Sequence, residues 1–257
     1  MKILMLGDIF GRDGRRMVSQ YLSKIKNEYQ VDVVLANGEN AAHGKGLSRR
    51  VYDELIFEGI SLISMGNHTY SKSDIFDFID DADRLVVPIN RPRMLPGVGS
   101  RVIEVKGKKI RFTNLLGVTF MNGMVDHPFL AMDDLLENAP CDIHILDFHA
   151  EATSEKIAMG YYLNGRVSAV LGTHTHVQTA DEVILDKGTA YITDIGMTGP
   201  QTSVIGCEVD SIIKKMVTGQ AGRFQVATGK GVLCAVLMEF DDRTNKPISI
   251  SRIQIRE

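Results

Sequence analysis

The sequence predicts an α/β domain built from two packed sheets with helices on the outside, and three observations carry that prediction. Strand-length apolar runs alternate with helix-periodic segments through the first third of the chain, the rhythm of a parallel sheet. A hairpin signature in the middle, Arg101–Val105 and Ile110–Leu116 joined through Lys106-Gly107-Lys108-Lys109, adds antiparallel strands. Polar residues able to bind an ion or a substrate cluster where strands end, the edge at which open α/β sheets bind ligands.

Taken in order, Ile3–Leu6 is a strand ending at Gly7-Asp8, and Arg12–Tyr29 carries Met17, Val18, Tyr21, Leu22 and Ile25 at helical spacing. Val31–Ala36 is the next strand, followed by Asn37-Gly38-Glu39-Asn40 and the glycine-rich stretch Ala42-His43-Gly44-Lys45-Gly46. Ser48 is placed to cap a helix running to about Glu58, Ile60–Met65 is a third strand delivering Asn67 and His68, and Ser73 opens a further helix. Asp142–Phe148 is a strand ending at His149, Ser154–Leu163 is helical, and Val167–Leu171 precedes the loop of His174 and His176. Ala190–Thr193, Val232–Glu239 and Ile248–Ile255 complete the strands, while Thr198–Gly231 shows no clear periodicity and reads as a lid, an interface or a crossover. With no repeat, low-complexity tract or linker, residues 1–257 form one domain.

Composition narrows the function. The 29 basic and 32 acidic side chains leave a net charge of −3, which argues against a general nucleic-acid surface but not against a nucleotide-sized substrate. Cys141, Cys207 and Cys234 are odd in number and in no CxxC spacing, so they read as reduced, mostly buried thiols. No apolar stretch reaches the length of a membrane span, and the expected location is cytoplasmic. A homo-oligomer is compatible with the glycine-containing loops and the hairpin.

Gly66-Asn67-His68 and Gly172-Thr173-His174-Thr175-His176 each follow an apolar run that reads as a buried strand. Short loops leaving a rigid sheet aim imidazoles well, and a divalent ion needs aimed imidazoles. Asp8, Glu39-Asn40 and His149 add three more polar strand exits, pointing to a two-metal centre. Each has a plainer role when taken alone: Asp8 as a helix or turn cap, Glu39 and Asn40 as loop residues beside Gly38, Asn67 as a turn residue. Five such loops at one sheet edge outweigh those separate readings. His43, His127 and His144 have no partner pattern and read as local hydrogen-bonders. Arg91 and Arg93 are loop arginines able to steady a phosphate, Phe129 reads first as a core side chain and second as a base-stacking lid residue, and Thr175 and Asp181 are placed to support the histidine loop, Asp181 through a bond to an imidazole.

Asp8, Glu39, Gly66-Asn67-His68, His149 and Gly172-Thr-His174-Thr-His176 resemble, in order and context, the calcineurin-like metallophosphoesterases. Gly7-Asp8-Ile-Phe-Gly11, Asn37-Gly38-Glu39-Asn40-Ala41-Ala42 and the run from Gly172 to Asp181 are similar to the YmdB-like bacterial branch, over essentially the whole chain. The resemblance implies a four-layer αββα sandwich, a dinuclear centre between the sheets, and phosphodiesterase activity on small cyclic nucleotides, 2′,3′-cyclic nucleoside monophosphates first. The wider superfamily opens with Asp-x-His, whereas Phe10 stands here at the histidine position, and Glu39 replaces a bridging aspartate. The resemblance therefore implies a first metal held by Asp8, Glu39, Asn40 and His176 and a second held by Glu39, Asn67, His149 and His174. His68 is implied as the general acid that protonates the leaving oxygen after attack by a metal-bridging hydroxide; its plainer role is a hydrogen-bonder that only orients Asp8 or the phosphate. Imidazole, amide and carboxylate donors suit Fe or Mn first, with Zn or Mg as further candidates. No stable nucleic-acid binding is expected. A metal-dependent regulatory or scaffold protein with little turnover is the alternative, motivated by Phe10; a phosphomonoesterase or protein phosphatase would need a substrate surface that the sequence does not identify.

Overall fold

The computed structural model describes residues 1–138, 140–220 and 225–257. The first half runs β1 (Lys2–Leu6), β2 (Asp8–Ile9), α1 (Gly11–Tyr29), β3 (Val33–Asn37), α2 (Arg49–Phe57), β4 (Leu62–Ser64), a 3-10 turn at Ser73–Asp77, β5 (Leu85–Val86), β6 (Ser100–Val105) and β7 (Lys108–Leu116). The second runs α3 (Pro128–Glu137), β8 (Ile143–His149), α4 (Thr153–Tyr162), β9 (Ala169–Thr173), β10 (Val183–Ile184), β11 (Ala190–Ile192), β12 (Met197–Pro200), α5 (Val209–Thr218), β13 (Gly231–Phe240) and β14 (Pro247–Arg256).

Two mixed sheets result. In the first, β1 lies between parallel β3 and antiparallel β13; β4 and β5 continue the parallel side, β14 covers the far side of β13, and β12 with β2 extends from the start of β13. The second is ordered β10-β11-β9-β8-β7-β6, with parallel β7, β8, β9 and β11 at its centre. The period-two alternation of a strand sends successive side chains to opposite faces. Ile3 and Met5 thus enter the layer between the sheets while Leu4 and Leu6 pack under the helices, and Ile145 and Leu146 divide in the same way in the second sheet. Three separate apolar layers follow: helices α1 and α2 on sheet one, sheet on sheet, and α3 and α4 on sheet two. This is the four-layer αββα sandwich.

Helix α1 buries Met17, Val18, Leu22 and Ile25 against the first sheet. Each is worth about 1.5–3 kcal/mol of apolar burial, more than any propensity difference along the helix. Gln30 stops it in the left-handed conformation, its N–H donating to the Lys26 carbonyl. The hairpin turns through Lys106 and Gly107, φ 54° and 73°, the paired positive values of a two-residue type I′ turn. The segment after Thr198 contains a helix, α5, and corrects the expectation of no periodicity: Val209, Ile212, Ile213, Met216 and Val217 recur at i, i+3, i+4, i+7 and i+8 along one face, of which only Ile212 is buried while Ile213, Met216 and Val217 face solvent. All three cysteines are free, but only Cys234 is buried; Cys141 and Cys207 are half-buried, which corrects the expectation of mostly buried thiols. Among the described residues no helix is long and apolar enough to cross a membrane.

Candidate metal centre

Every residue expected at the centre lies just beyond, or at the last position of, a parallel strand. Asp8 follows β1, Glu39 and Asn40 follow β3, Asn67 and His68 follow β4, His149 ends β8, and His174 and His176 follow β9. The two sheets point these ends the same way, so their common edge becomes one cleft floor. Gly66 is needed there: a Cβ would lie 2.3 Å from Glu39 Oε2 and 2.5 Å from His149 Nε2.

The side chains converge. His149 Nε2 lies 3.2 Å from Glu39 Oε1 and 3.0 Å from both Asn67 Oδ1 and His174 Nδ1. Asn40 Nδ2 lies 3.2 Å from Glu39 Oε1 and 3.2 Å from His176 Nε2, and Asp8 Oδ1 is 3.8 Å from that same His176 nitrogen. Glu39 therefore sits between a group of Asn67, His149 and His174 and a group of Asp8, Asn40 and His176. His68 stands at the rim, 29% exposed, with Nδ1 3.0 Å from Asn40 Oδ1 and 3.2 Å from Glu39 Oε1. Phe10 packs edge-on against the His176 ring, centroids 5.5 Å apart.

Each of the three converging histidines has its second nitrogen anchored. His149 Nδ1 lies 2.8 Å from Thr173 Oγ1, His174 Nε2 lies 3.2 Å from Glu151 Oε2, and His176 Nδ1 lies 2.9 Å from the Ile205 carbonyl. Such partners fix ring orientation and tautomer. Beneath them Asp147, fully buried, accepts from Asn37 Nδ2, Ser64 Oγ, Asn114 Nδ2 and Thr173 Oγ1, joining β3 and β4 of one sheet to β7, β8 and β9 of the other.

Burial dominates the electrostatics. It raises Asp8 to about 6, against the pull of His176 and His149. It works upward on Glu39 as well, but His149 and His68 outweigh it and hold that carboxyl well below its ordinary value. For His149 burial opposes the charge, yet Glu39, Asp8 and Asp147 carry it up to about 9, while burial and the neighbouring His149 push His174 down to about 3. Glu39, His149 and His174 each offer a donor atom, all within 4.8 Å of one another. Asp8 Oδ1 is buried with no hydrogen-bond partner, which ordinarily costs about 1–3 kcal/mol. An anionic, imidazole-rich cluster holding an orphaned carboxylate oxygen is a donor set that fits divalent cations.

Other expected residues lie apart from the cluster. Arg91 braces its own loop, donating to the carbonyls of Pro88, Leu95 and Gly97, and Arg93 is exposed. Phe129 packs against the outer core of sheet two, edge-on to Tyr162 at 5.0 Å. Asp181 accepts from the Thr193 N–H and hydroxyl, not from an imidazole, which corrects the support expected of it; Thr175 does support the loop, through Asp194. His144 is buried beside Thr113, whereas His43 and His127 are exposed. The sequence reading missed Asn37, Ser64, Asn114, Asp147, Glu151, Lys156 and Asp194. Asp147 alone carried a signal, a lone charge inside the apolar run 143–148.

Two mixed sheets flanked by helices, with carboxylate, amide and imidazole donors at their shared carboxyl edge, make the metallophosphoesterase-type fold. A family model described as YmdB-like protein matches residues 4–253, and the chain belongs to that family. It is 50% identical over 259 residues to a 2′,3′-cyclic-nucleotide 2′-phosphodiesterase of Bacillus subtilis (strain 168), covering 100% of this chain and 98% of the relative. A crystal structure of a hypothetical protein from Thermus thermophilus is 42% identical, with a TM-score of 0.95 and 100% of both chains covered. One described as a novel phosphatase of Mycoplasma pneumoniae is 40% identical, with a TM-score of 0.96 over 100% of this chain and 93% of that one. The chain is a hydrolytic enzyme of the phosphodiesterase and phosphatase type.

Proposed function

We propose that this protein is a dinuclear-metal phosphodiesterase that hydrolyses 2′,3′-cyclic nucleoside monophosphates. The observation that carries the reading is the convergence of donor residues from both sheets around Glu39, with the buried Asp8 Oδ1 left without a hydrogen-bond partner. Asp8, Glu39, Asn40 and His176 would hold one ion, and Glu39, Asn67, His149 and His174 the other. Asn40 enters that set as an oxygen donor with its amide turned, Oδ1 replacing Nδ2 on the side facing Glu39 and His176. Iron or manganese suits this mixture of nitrogen and oxygen donors best. When bound, two such ions supply an activated water and neutralise charge on the phosphoryl oxygens.

The protein's own part is positioning and proton transfer. With the Asn40 amide so turned, its Nδ2 faces His68 Nδ1 and donates to it, which leaves the ring proton on Nε2 to meet the substrate. Water adds to phosphorus and gives up a proton to solvent, the bond from phosphorus to the 2′ oxygen breaks, and His68 gives that leaving oxygen its proton and is reprotonated from solvent, yielding a nucleoside 3′-monophosphate. The choice of bond follows the 2′-phosphodiesterase name of the Bacillus subtilis relative. Phe10, where the wider superfamily has a histidine, supports His176, which favours a retained centre over a scaffold that has lost it.

The test is turnover of 2′,3′-cyclic AMP with identification of the product, in wild type and His68→Ala. The proposal expects the 3′-monophosphate, and a fall in kcat of about 10²–10⁴-fold in the variant with metal content unchanged. A metal-loaded wild type that binds the nucleotide without hydrolysing it would favour the scaffold reading instead.

A further inference from the structure

His174 and His176 both sit at positive φ, 99° and 67°, a backbone region that residues with a Cβ enter only when their surroundings hold them there. The intervening Thr175 is where the loop is held. Its N–H and hydroxyl both donate to Asp194 Oδ2, at 3.1 and 2.8 Å. The same oxygen accepts from Lys156 Nζ at 2.7 Å, and Oδ1 accepts from the Gly196 N–H at 2.8 Å. Asp194 and Lys156 are 0% and 1% exposed, so the carboxylate has no water to fall back on and its charge is offset by the one ammonium from α4.

The approach that brings Asp194 under Thr175 is written in Gly172. A Cβ there would lie 1.7 Å from the Thr193 carbonyl oxygen, whereas without one the Ile195 N–H reaches the Gly172 carbonyl at 2.8 Å. The β9 and β11 exits are thereby packed backbone to backbone. Asp8 takes the His174 N–H from the other side at 3.2 Å, so two carboxylates grip successive amides of the histidine loop.

We infer that Asp194, neutralised by Lys156, is a positioning residue: by pinning Thr175 it sets the directions of the two flanking imidazoles toward the metals. The inference rests on the metal-centre reading above. Asp194 acts through Thr175, so Thr175 is the place to test it without leaving Lys156 buried and unpaired.

The experiment is titration of metal-free protein with Mn2+ by calorimetry, on wild type, Thr175→Val, Thr175→Ser and Glu39→Gln, each checked for folding by circular dichroism. Thr175→Val keeps the shape and loses the hydroxyl; its Mn2+ dissociation constant should rise about 10–100-fold, with Thr175→Ser within about twofold of wild type. Wild-type affinity in Thr175→Val, or equal weakening in the Ser variant, would overturn the inference. Glu39→Gln separates the two failures. If it binds two ions as wild type does, the metal-centre reading itself falls; if it loses binding while Thr175→Val does not, only the role of Asp194 falls.

Discussion

Thr173 donates its hydroxyl hydrogen to Asp147 Oδ1 at 2.6 Å, while the hydroxyl oxygen lies 2.8 Å from His149 Nδ1. The one hydroxyl proton is committed to the carboxylate, so His149 must donate through Nδ1, and Nε2 is the nitrogen that faces Glu39. Asp147 is thus the base of a relay that ends at the centre. Its other oxygen takes Asn37, Ser64 and Asn114. Asp147→Leu would leave those donors buried and unpaired, and the expected loss is on the order of 3–5 kcal/mol in urea unfolding of the metal-free protein. A loss below about 1 kcal/mol would mean that the network contributes little.

Gly66 makes a prediction about space. Gly66→Ala would force a methyl group against Glu39 Oε2 and His149 Nε2, and both side chains are held on their far sides. The expected outcome is a folded protein that retains little metal after reconstitution, checked by elemental analysis beside circular dichroism. Full metal occupancy in this variant would show that the cluster has slack its packing does not suggest.

Legibility in the sequence followed a physical divide. The residues facing the cleft, from Asp8 to His176, were legible because each ends or follows an apolar strand, and a polar group at a strand exit departs from a strong local pattern. Asn37, Ser64, Asn114 and Asp147 lie within or at the end of strands, and their pairing spans up to 110 residues, which no local pattern encodes. Lys156 lies in the segment 154–163, which the sequence marks only as helical; the third dimension alone places it against Asp194. Strands of two to four residues, β2 and β12 among them, are too short to show a period.

Glu151 carries the third prediction. Its carboxylate is 49% exposed at the cleft rim yet lies 3.2 Å from His174 Nε2, the nitrogen opposite the one that faces His149. Glu151→Ala is expected to weaken metal binding about tenfold, and Glu151→Gln, whose amide oxygen still accepts, much less. Calorimetric Mn2+ titration checks both. Equal affinities in all three proteins would mean that His174 is oriented by its backbone alone.

The fourth concerns acid. Burial, with the Arg111 charge adding to it, pushes His144 down to about 3, from 6.5 in an unfolded chain. Below 6.5 the unfolded chain binds a proton that the folded protein refuses, so this contribution to stability is complete above pH 6.5 and is lost as pH falls toward 3, at up to about 1.4 kcal/mol per pH unit. His144→Gln should flatten the pH dependence of unfolding free energy between pH 6.5 and about 4, measured in urea on metal-free protein. An unchanged slope would assign the acid sensitivity to other groups.

The central claim is a two-metal site organised around one carboxylate, and it is tested most directly by counting metal. Elemental analysis of protein reconstituted with manganese and freed of excess should give close to two ions per chain in wild type. Glu39→Gln, altered at the residue that both halves of the cluster share, should lose most of both. Two ions retained in Glu39→Gln, or none in wild type, would contradict the account.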